Sequence, residues 1–267
     1  MVIDIPPGLA ARFAKAIKTA ASELAREFGK QLCGILVGGS VARGKTHEHS
    51  DVDLFVLTDL QRVQRRRQLK NGVLVDFFLS SRAEIDRQMT SSGSHVIVRN
   101  YAEGFTVYDR SGVVRDLHLR AKQLLQQPRR APTAEECFTY SHRFTDRMKD
   151  FSASLSRGDE ISANFHLFML IQMGIESYYL FARRWQTSPK AILADMEIAS
   201  PCIYANLIAL LNPRISVREK EPIIARFAET VRSSAGFSSA PAEGPVVNPT
   251  RQAARILLPN NIHLRVK

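Results

Sequence analysis

Two aspartates, Asp51 and Asp53, interrupt an otherwise apolar stretch whose sequence over residues 50–56 is SDVDLFV. Valine, leucine and phenylalanine in such a run are typical of a buried β-strand, and side chains two positions apart on a strand point to the same face. Two neighbouring carboxylates repel each other there, so either one of them is protonated or a cation lies between them. The pattern therefore predicts a sheet that carries a charged site on one face.

A glycine-rich turn precedes these acids, with ten residues between Ser40 and Asp51. The apolar run Leu32–Val37 predicts a buried strand, which ends at Gly38 and Gly39. Glycines let the backbone turn sharply and approach a ligand closely. Ser40 then stands where a helix begins, and free backbone N–H groups together with a hydroxyl form a phosphate site at such a position.

A third carboxylate, Asp76, lies within another apolar run, Val73–Leu79. An aspartate inside such a strand is costly unless it is ion-paired or metal-bound. Ligand sets made only of oxygen favour hard cations, Mg²⁺ or Mn²⁺. Asp51, Asp53 and Asp76 are therefore candidate metal ligands and candidate catalytic residues.

The ordered set resembles the nucleotidyltransferase superfamily that includes DNA polymerase beta and the bacterial aminoglycoside (kanamycin-type) nucleotidyltransferases. Members carry an apolar strand ending in Gly-Ser, a spacer, Asp-x-Asp, and then an Asp or Glu on a following strand. Gly39-Ser40, Asp51-Val52-Asp53 and Asp76 match that pattern in order. The resemblance extends over about residues 30–112, and Arg43 also falls where small bacterial members often carry it.

The resemblance implies Mg²⁺- or Mn²⁺-dependent transfer of a nucleoside monophosphate from an NTP, with ATP as the expected donor, to a hydroxyl group, releasing pyrophosphate. Asp51 and Asp53 would hold the metal, and Asp76 would bind a second ion and help to deprotonate the acceptor. The residues expected to hold the triphosphate are Gly39, Ser40, Arg43 and, from the helical half, Lys190. Glu176 is the alternative general base. Its ordinary interpretation is a partly buried helix residue paired with an arginine.

The predicted fold class is α/β (α+β): a mixed sheet with flanking helices, followed by a helical bundle. We divide the chain into a catalytic domain at 1–127, a helical bundle at 133–235, and a linker with a C-terminal tail at 236–267. Predicted strands are Leu32–Val37, Val52–Leu57, Val73–Leu79 and Gly104–Asp109. Predicted helices are Gly8–Lys30, Ser81–Met89, Val114–Leu125, Thr133–Ser156, Ile161–Arg184, Lys190–Glu197, Ile203–Leu211 and Val217–Ser233.

Two polar segments near the acids have an ordinary interpretation. The strongly basic segment 61–70 is expected to be a solvated turn or loop, with RNA or acidic substrate as the alternative contact. His47 and His49 are expected to be solvent-exposed rather than metal ligands.

Composition indicates which classes of partner to expect. Lys plus Arg number 37 and Asp plus Glu 26, a net charge of +11, which favours polyanions and leaves nucleic acid open as a partner. Three scattered cysteines argue against a disulfide framework or zinc site. Without a signal-type or membrane-spanning apolar stretch, we expect a cytoplasmic protein with no membrane partner. The oligomeric state is left open.

The expected acceptor is a hydroxyl of a small, aminoglycoside-like molecule. RNA or a protein is the alternative acceptor, and RNA is the one that the positive charge supports. A different class is a catalytically silent regulatory protein, such as an antitoxin-like partner. The three retained aspartates speak against that class.

Overall fold

A five-stranded mixed sheet occupies the first half of the protein, and helices make up the second half. This computed structural model describes residues 2–60, 63–91 and 95–233. The strands are β1 (Leu32–Gly38), β2 (Val52–Thr58), β3 (Gln64–Lys70), β4 (Val73–Ser80) and β5 (Phe105–Asp109). The helices of the first half are α1 (Ala11–Phe28), α2 (Gly39–Ala42), α3 (Arg82–Thr90), α4 (His95–Glu103) and α5 (Val113–Leu125). Those of the second half are α6 (Ala134–Ser156), α7 (Glu160–Phe181), α8 (Ile192–Ala199), α9 (Pro201–Leu211) and α10 (Glu221–Ser233).

The strand order is β3-β4-β2-β1-β5, and the one parallel pair among these strands is β2 with β4. In that pair Asp53 lies opposite Asp76, and Phe55 lies opposite Phe78. Directly opposed residues on neighbouring strands share a face of the sheet. The register therefore brings two of the three sequence-predicted acids together.

Each face of the sheet packs on different helices. The face that carries Leu54 and Val75 buries them against α1, whose apolar side includes Phe13 and Ile17. The opposite face carries Phe55 and packs on α3, α4 and α5. Each buried side chain of this size contributes roughly 1.5–3 kcal/mol of transfer free energy. The acids lie on the second face, beside the part that these helices cover.

The helices from α6 to α10 share a separate core that includes Phe151, Leu167, Tyr179 and Phe227. Close packing of α7 on α10 depends on Gly174, where an added Cβ would lie 2.0 Å from the Phe227 ring. The sheet half and this bundle belong to one compact unit.

Hydrogen bonds at the start of the helical half join it to the sheet half. Arg99 of α4 donates from Nε to the carbonyl of Gln186 at 2.8 Å and from a terminal nitrogen to that of Trp185 at 3.0 Å. The Trp185 indole donates to the carbonyl of Gln127 at 2.9 Å. The segment after α7 is therefore fixed against α4.

The predicted fold class is confirmed, and most elements lie where apolar periodicity placed them. The loop prediction for 61–70 is wrong, because residues 64–70 form strand β3. Helix α4 is an element that the sequence analysis did not predict. The predicted tail at 236–267 lies outside the described residues, and the division into two domains stays a prediction. Among the described residues, no helix has the length and apolar character needed to span a membrane.

Candidate active site

The turn after β1 and the first residues of β2 form the centre of the site. Gly38 pairs with Asp53 across the two strands. Gly39 follows with φ +66°, a left-handed conformation that favours glycine, and an added Cβ would lie 2.0 Å from Oδ2 of Asp53. The Asp53 carboxylate therefore packs directly against the backbone of the turn.

Three carboxylates interact at this point. Burial, and after it the negative charges of Asp51 and Asp76, raise the pKa of Asp53 to about 6 against the opposing effect of Arg43 and Arg65. The Asp51 side chain is 40% exposed. Like charges around a poorly solvated carboxylate favour either a proton or a bound cation.

Asp76 is 2% exposed and is held by two arginines of β3. Arg67 donates from Nε to Oδ1 at 2.5 Å and from a terminal nitrogen to Oδ2 at 2.6 Å, and Arg65 donates to Oδ2 at 2.8 Å. These bonds, with those from Arg67 the largest cause, keep the pKa of Asp76 below its ordinary value. Arg67 also reaches to 3.8 Å from Asp51, so its guanidinium bridges the first and third acids.

The donor set fits a hard divalent cation in part. Asp51 and Asp53 offer like-charged oxygens on one face of the sheet, which suits Mg²⁺ or Mn²⁺. Both oxygens of Asp76 are instead bonded to guanidinium groups. Over the part of the chain that the structure describes, no cluster of three or more His, Cys, Asp or Glu residues is arranged to hold a metal ion. The role of Asp76 as a ligand stays a prediction.

Ser40 and Arg43 lie on and just after the short helix α2. Ser40 is its second residue and is half-buried. Arg43 forms an ion pair with Glu103 of α4 at 3.3 Å, and Glu103 also binds Arg99 at 2.9 Å. The positive charge of Arg43 lowers the pKa of Asp53, so Arg43 acts on the same centre.

Lys190 brings the helical half to the same region. It is exposed, and its Nζ lies 3.3 Å from Nε2 of His47. His47 belongs to the loop before Asp51, in which its backbone N–H donates to the Ser50 hydroxyl at 2.8 Å. His47 and His49 are exposed, as predicted.

A cleft of about 440 Å³ adjoins Asp53 on the same face of the sheet. Its walls come from β2, β4, α3 and α4 and from the residue after α3. The lining residues are Asp53, Phe55, Phe78, Gln88, Ser91, Val96, Ile97 and Asn100. Asn100 ties the cleft to the turn, because its Oδ1 accepts a hydrogen bond from the Gly39 N–H at 3.1 Å.

Residues 17–102 match the sequence model of the nucleotidyltransferase domain family. Over these residues the chain is similar to the nucleotidyltransferase domain family. The match spans the turn and all three acids, and it supports nucleotidyl transfer as the general activity. A direct comparison with curated protein sequences found no match.

A solved structure is similar to this chain in fold. It is the crystal structure of a nucleotidyltransferase-like protein from Exiguobacterium sibiricum, at a TM-score of 0.50 and 18% sequence identity. The alignment covers 84% of this chain and 77% of that one. At such low identity the likeness concerns the fold alone.

The structure corrects two expectations about side chains. The basic segment is not a solvated loop: Arg65 and Arg67 bind Asp76, whereas Arg66, on the other face of β3, pairs with Glu27 of α1. Glu176 is exposed rather than partly buried, and in the described part of the chain no ion pair to arginine holds it. Burial, and after it the negative charge of Glu176, raises the pKa of Tyr140.

Sequence reasoning missed Asn100 and Gln88 of the cleft and the pairing of Asp76 with β3. Asn100 lies 61 positions from Gly39 on a helix that was not predicted, so no local sequence pattern indicates their contact. The strand β3 had a signal, the Asn71-Gly72 turn between it and β4, which is typical of a tight hairpin.

Proposed function

We propose that the chain transfers a nucleoside monophosphate from an NTP to a hydroxyl group, with Mg²⁺ or Mn²⁺ held by Asp51 and Asp53. The observation that carries the proposal is the Asp53 carboxylate, which packs against Gly39 and lies beside two further acids with a pKa raised to about 6. A carboxylate in this position gains most from a cation bound next to it. The family match supports the same chemistry.

Each residue of the site has a separate proposed role. Asp51 and Asp53 would hold the metal, which would supply charge neutralisation at the phosphates. Gly39 lets the backbone of the turn approach the triphosphate, and Ser40 offers a hydroxyl beside it. Arg43, which pairs with Glu103, and Lys190, which lies beside His47, supply positive charge near the turn. Of the two predicted general bases, Asp76 is the one that lies beside Asp53 on a neighbouring strand, and we retain it as the proposed base, a role that requires Arg65 and Arg67 to release one of its oxygens.

The proposed acceptor is a small molecule, and the aminoglycoside class stays a prediction that rests on the resemblance. An RNA hydroxyl is the second candidate, favoured by the net charge of +11. ATP is the donor tested first. Cytoplasmic location is consistent with the three cysteines, which are all free.

The test is pyrophosphate release from each NTP with Mg²⁺, in the presence of kanamycin, RNA or ribonucleosides as acceptors. Asp53→Asn and Asp51→Asn are compared with Asp116→Asn, which replaces an exposed acid of α5 that pairs with Arg82 at 3.6 Å. We expect acceptor-dependent release that the first two variants lose by a hundredfold or more, on the order of one lost metal-centred interaction. Binding of Mg²⁺–NTP without turnover with any acceptor would favour a silent regulatory protein. If the protein neither binds Mg²⁺–NTP nor turns it over, the proposed enzyme activity is refuted.

A further inference from the structure

The cleft beside Asp53 has mainly uncharged walls. Phe55, Phe78, Val96 and Ile97 provide apolar surface, and Val96 is 58% exposed. Phe55 and Phe78 stack on each other with ring centroids 5.0 Å apart, which fixes the floor. A cleft with apolar walls and a few polar groups is the usual form of a small-molecule site.

Two amide side chains each leave one hydrogen-bonding group available in this cleft. Gln88 donates from Nε2 to Glu84 at 2.6 Å, which leaves its carbonyl oxygen as an acceptor. Asn100 accepts the Gly39 N–H through Oδ1, which leaves its NH₂ group as a donor. Among the described residues neither remaining group has a hydrogen-bond partner, so the cleft offers one donor and one acceptor beside apolar surface.

The charges around the cleft discriminate between acceptor classes. Among the described residues its lining contains one carboxylate, Asp53, and no lysine or arginine. Asp53 is already committed to the metal in the proposed function, so a polycation would find no further anion in the cleft. The cations near the site, Arg65 and Arg67 of β3, already pair with Asp76, so that acid is not free to bind a polycation either.

The position of the cleft assigns it to the acceptor. The donor triphosphate is expected at Gly39, Ser40 and Arg43, and none of these residues lines the cleft. Asp53 lies between the two regions, in contact with Gly39 and in the cleft wall. In an in-line displacement the attacking hydroxyl approaches the phosphorus from the side opposite the leaving group.

We propose that this cleft binds the acceptor, and that the acceptor is an electrically neutral, ring-bearing hydroxyl compound of nucleoside type rather than a polycationic aminoglycoside. The proposal rests on the proposed nucleotidyl transfer and defines its substrate class. The ring lies against the apolar walls, its polar edge meets Gln88 and Asn100, and its hydroxyl points toward Asp53.

The experiment uses the four ribonucleosides as probes and kanamycin as the polycationic comparison. Affinity is measured by calorimetry without NTP, and acceptor KM by pyrophosphate release with saturating Mg²⁺–ATP. Val96→Trp fills the cleft from an exposed position, and Gln88→Leu removes its acceptor group. Leu119→Trp is the matched control, because Leu119 is 52% exposed on α5 and does not line the cleft.

We expect at least one ribonucleoside to bind and to accept a nucleotide in preference to kanamycin. Val96→Trp should weaken that binding at least tenfold, and Gln88→Leu by roughly threefold to tenfold, as for one lost hydrogen bond. Leu119→Trp should bind as the wild type does, and all three variants should bind Mg²⁺–ATP within twofold of it.

Three results would overturn the proposal. Equal loss of Mg²⁺–ATP affinity in Val96→Trp would assign the cleft to the donor base. Preference for kanamycin would restore the polycationic acceptor, and ribonucleoside binding unaffected by Val96→Trp would place the ring elsewhere. A wild-type protein that binds no Mg²⁺–NTP refutes nucleotidyl transfer itself, a failure that calorimetry with ribonucleosides alone separates from the other three.

Discussion

At the scale of single residues, Asp53 carries an electrostatic cost in the metal-free protein. Its pKa in the folded chain, about 6, lies above the ordinary value of 3.8 because of burial and the two neighbouring acids. The folded state therefore binds this proton more tightly than the unfolded state does. The stabilisation from the proton is complete below pH 3.8 and is lost as the pH rises through about 6.

Asp53→Asn should therefore stabilise the metal-free protein above pH 6, because the amide never acquires the unfavourable charge. At pH 8 we expect a rise in Tm on the order of a few degrees, shrinking toward zero at pH 4. Thermal unfolding in a chelating buffer checks this, with Asp116→Asn as the control. Added Mg²⁺ should raise the Tm of the wild type but not of Asp53→Asn, and an equal rise in both would place the ion elsewhere.

Asp76 shows the opposite behaviour. Its ion pairs with β3 lower its pKa, so their stabilisation is present above pH 3.8 and is lost as the pH falls through the lowered value. Arg67 makes two of the three hydrogen bonds, but its side chain is 52% exposed, so solvent screens the pair.

Arg67→Gln should lower the free energy of unfolding by about 1–2 kcal/mol at pH 7, after allowance for that screening. Asp76→Asn and the double variant complete a cycle in which the two losses are not additive, because both remove the same interaction. Urea unfolding measures all of them. Arg66→Gln is the control, since Arg66 pairs with the more exposed Glu27, and a loss equal to that of Arg67→Gln would contradict the assignment.

At the scale of elements, the apolar strands could be predicted and the polar strand could not. β1, β2 and β4 are recognisable because their side chains are buried on both faces of the sheet. β3 is an edge strand whose arginine side chains pair with acids. Its sequence, QRRRQLK, therefore lacks the run of apolar residues that marks a buried strand. Its stability comes from pairing with β4 through the turn at Asn71 and Gly72, both at positive φ.

The turn between β1 and α2 supports a prediction with an internal control. Gly39 and Gly44 have nearly the same left-handed φ, +66° and +65°, but an added Cβ meets Asp53 at 2.0 Å in the first and nothing within 4 Å in the second. Both alanine variants should pay the backbone cost of roughly 1–2 kcal/mol. Gly39→Ala should in addition displace Asp53 and lose activity by about a hundredfold or more. Pyrophosphate release and urea unfolding separate the two effects, and equal activity of both variants would exclude the clash.

At the scale of the whole molecule, the site depends on contacts that join distant parts of the chain. Lys190 and His47 are 143 residues apart, and Arg99 meets Gln186 across 87. A sequence pattern reports periodicity within one element, whereas these contacts depend on how the bundle packs on α4. The residue types of the site could therefore be predicted, but the side on which the bundle meets it could not.

Lys190 tests whether the bundle takes part in donor binding. If its ammonium group binds the triphosphate, Lys190→Ala should raise the KM for the NTP roughly tenfold, about 1.4 kcal/mol, with a smaller change in kcat. Lys190→Arg should retain most of the affinity because it keeps the charge, and the difference between the two should shrink at high salt. Lys149→Ala is the control, since Lys149 is 74% exposed on α6 and pairs with Asp146 of the same helix. An unchanged KM in Lys190→Ala would leave Lys190 as a contact of His47 alone, and the triphosphate would then depend on the sheet half.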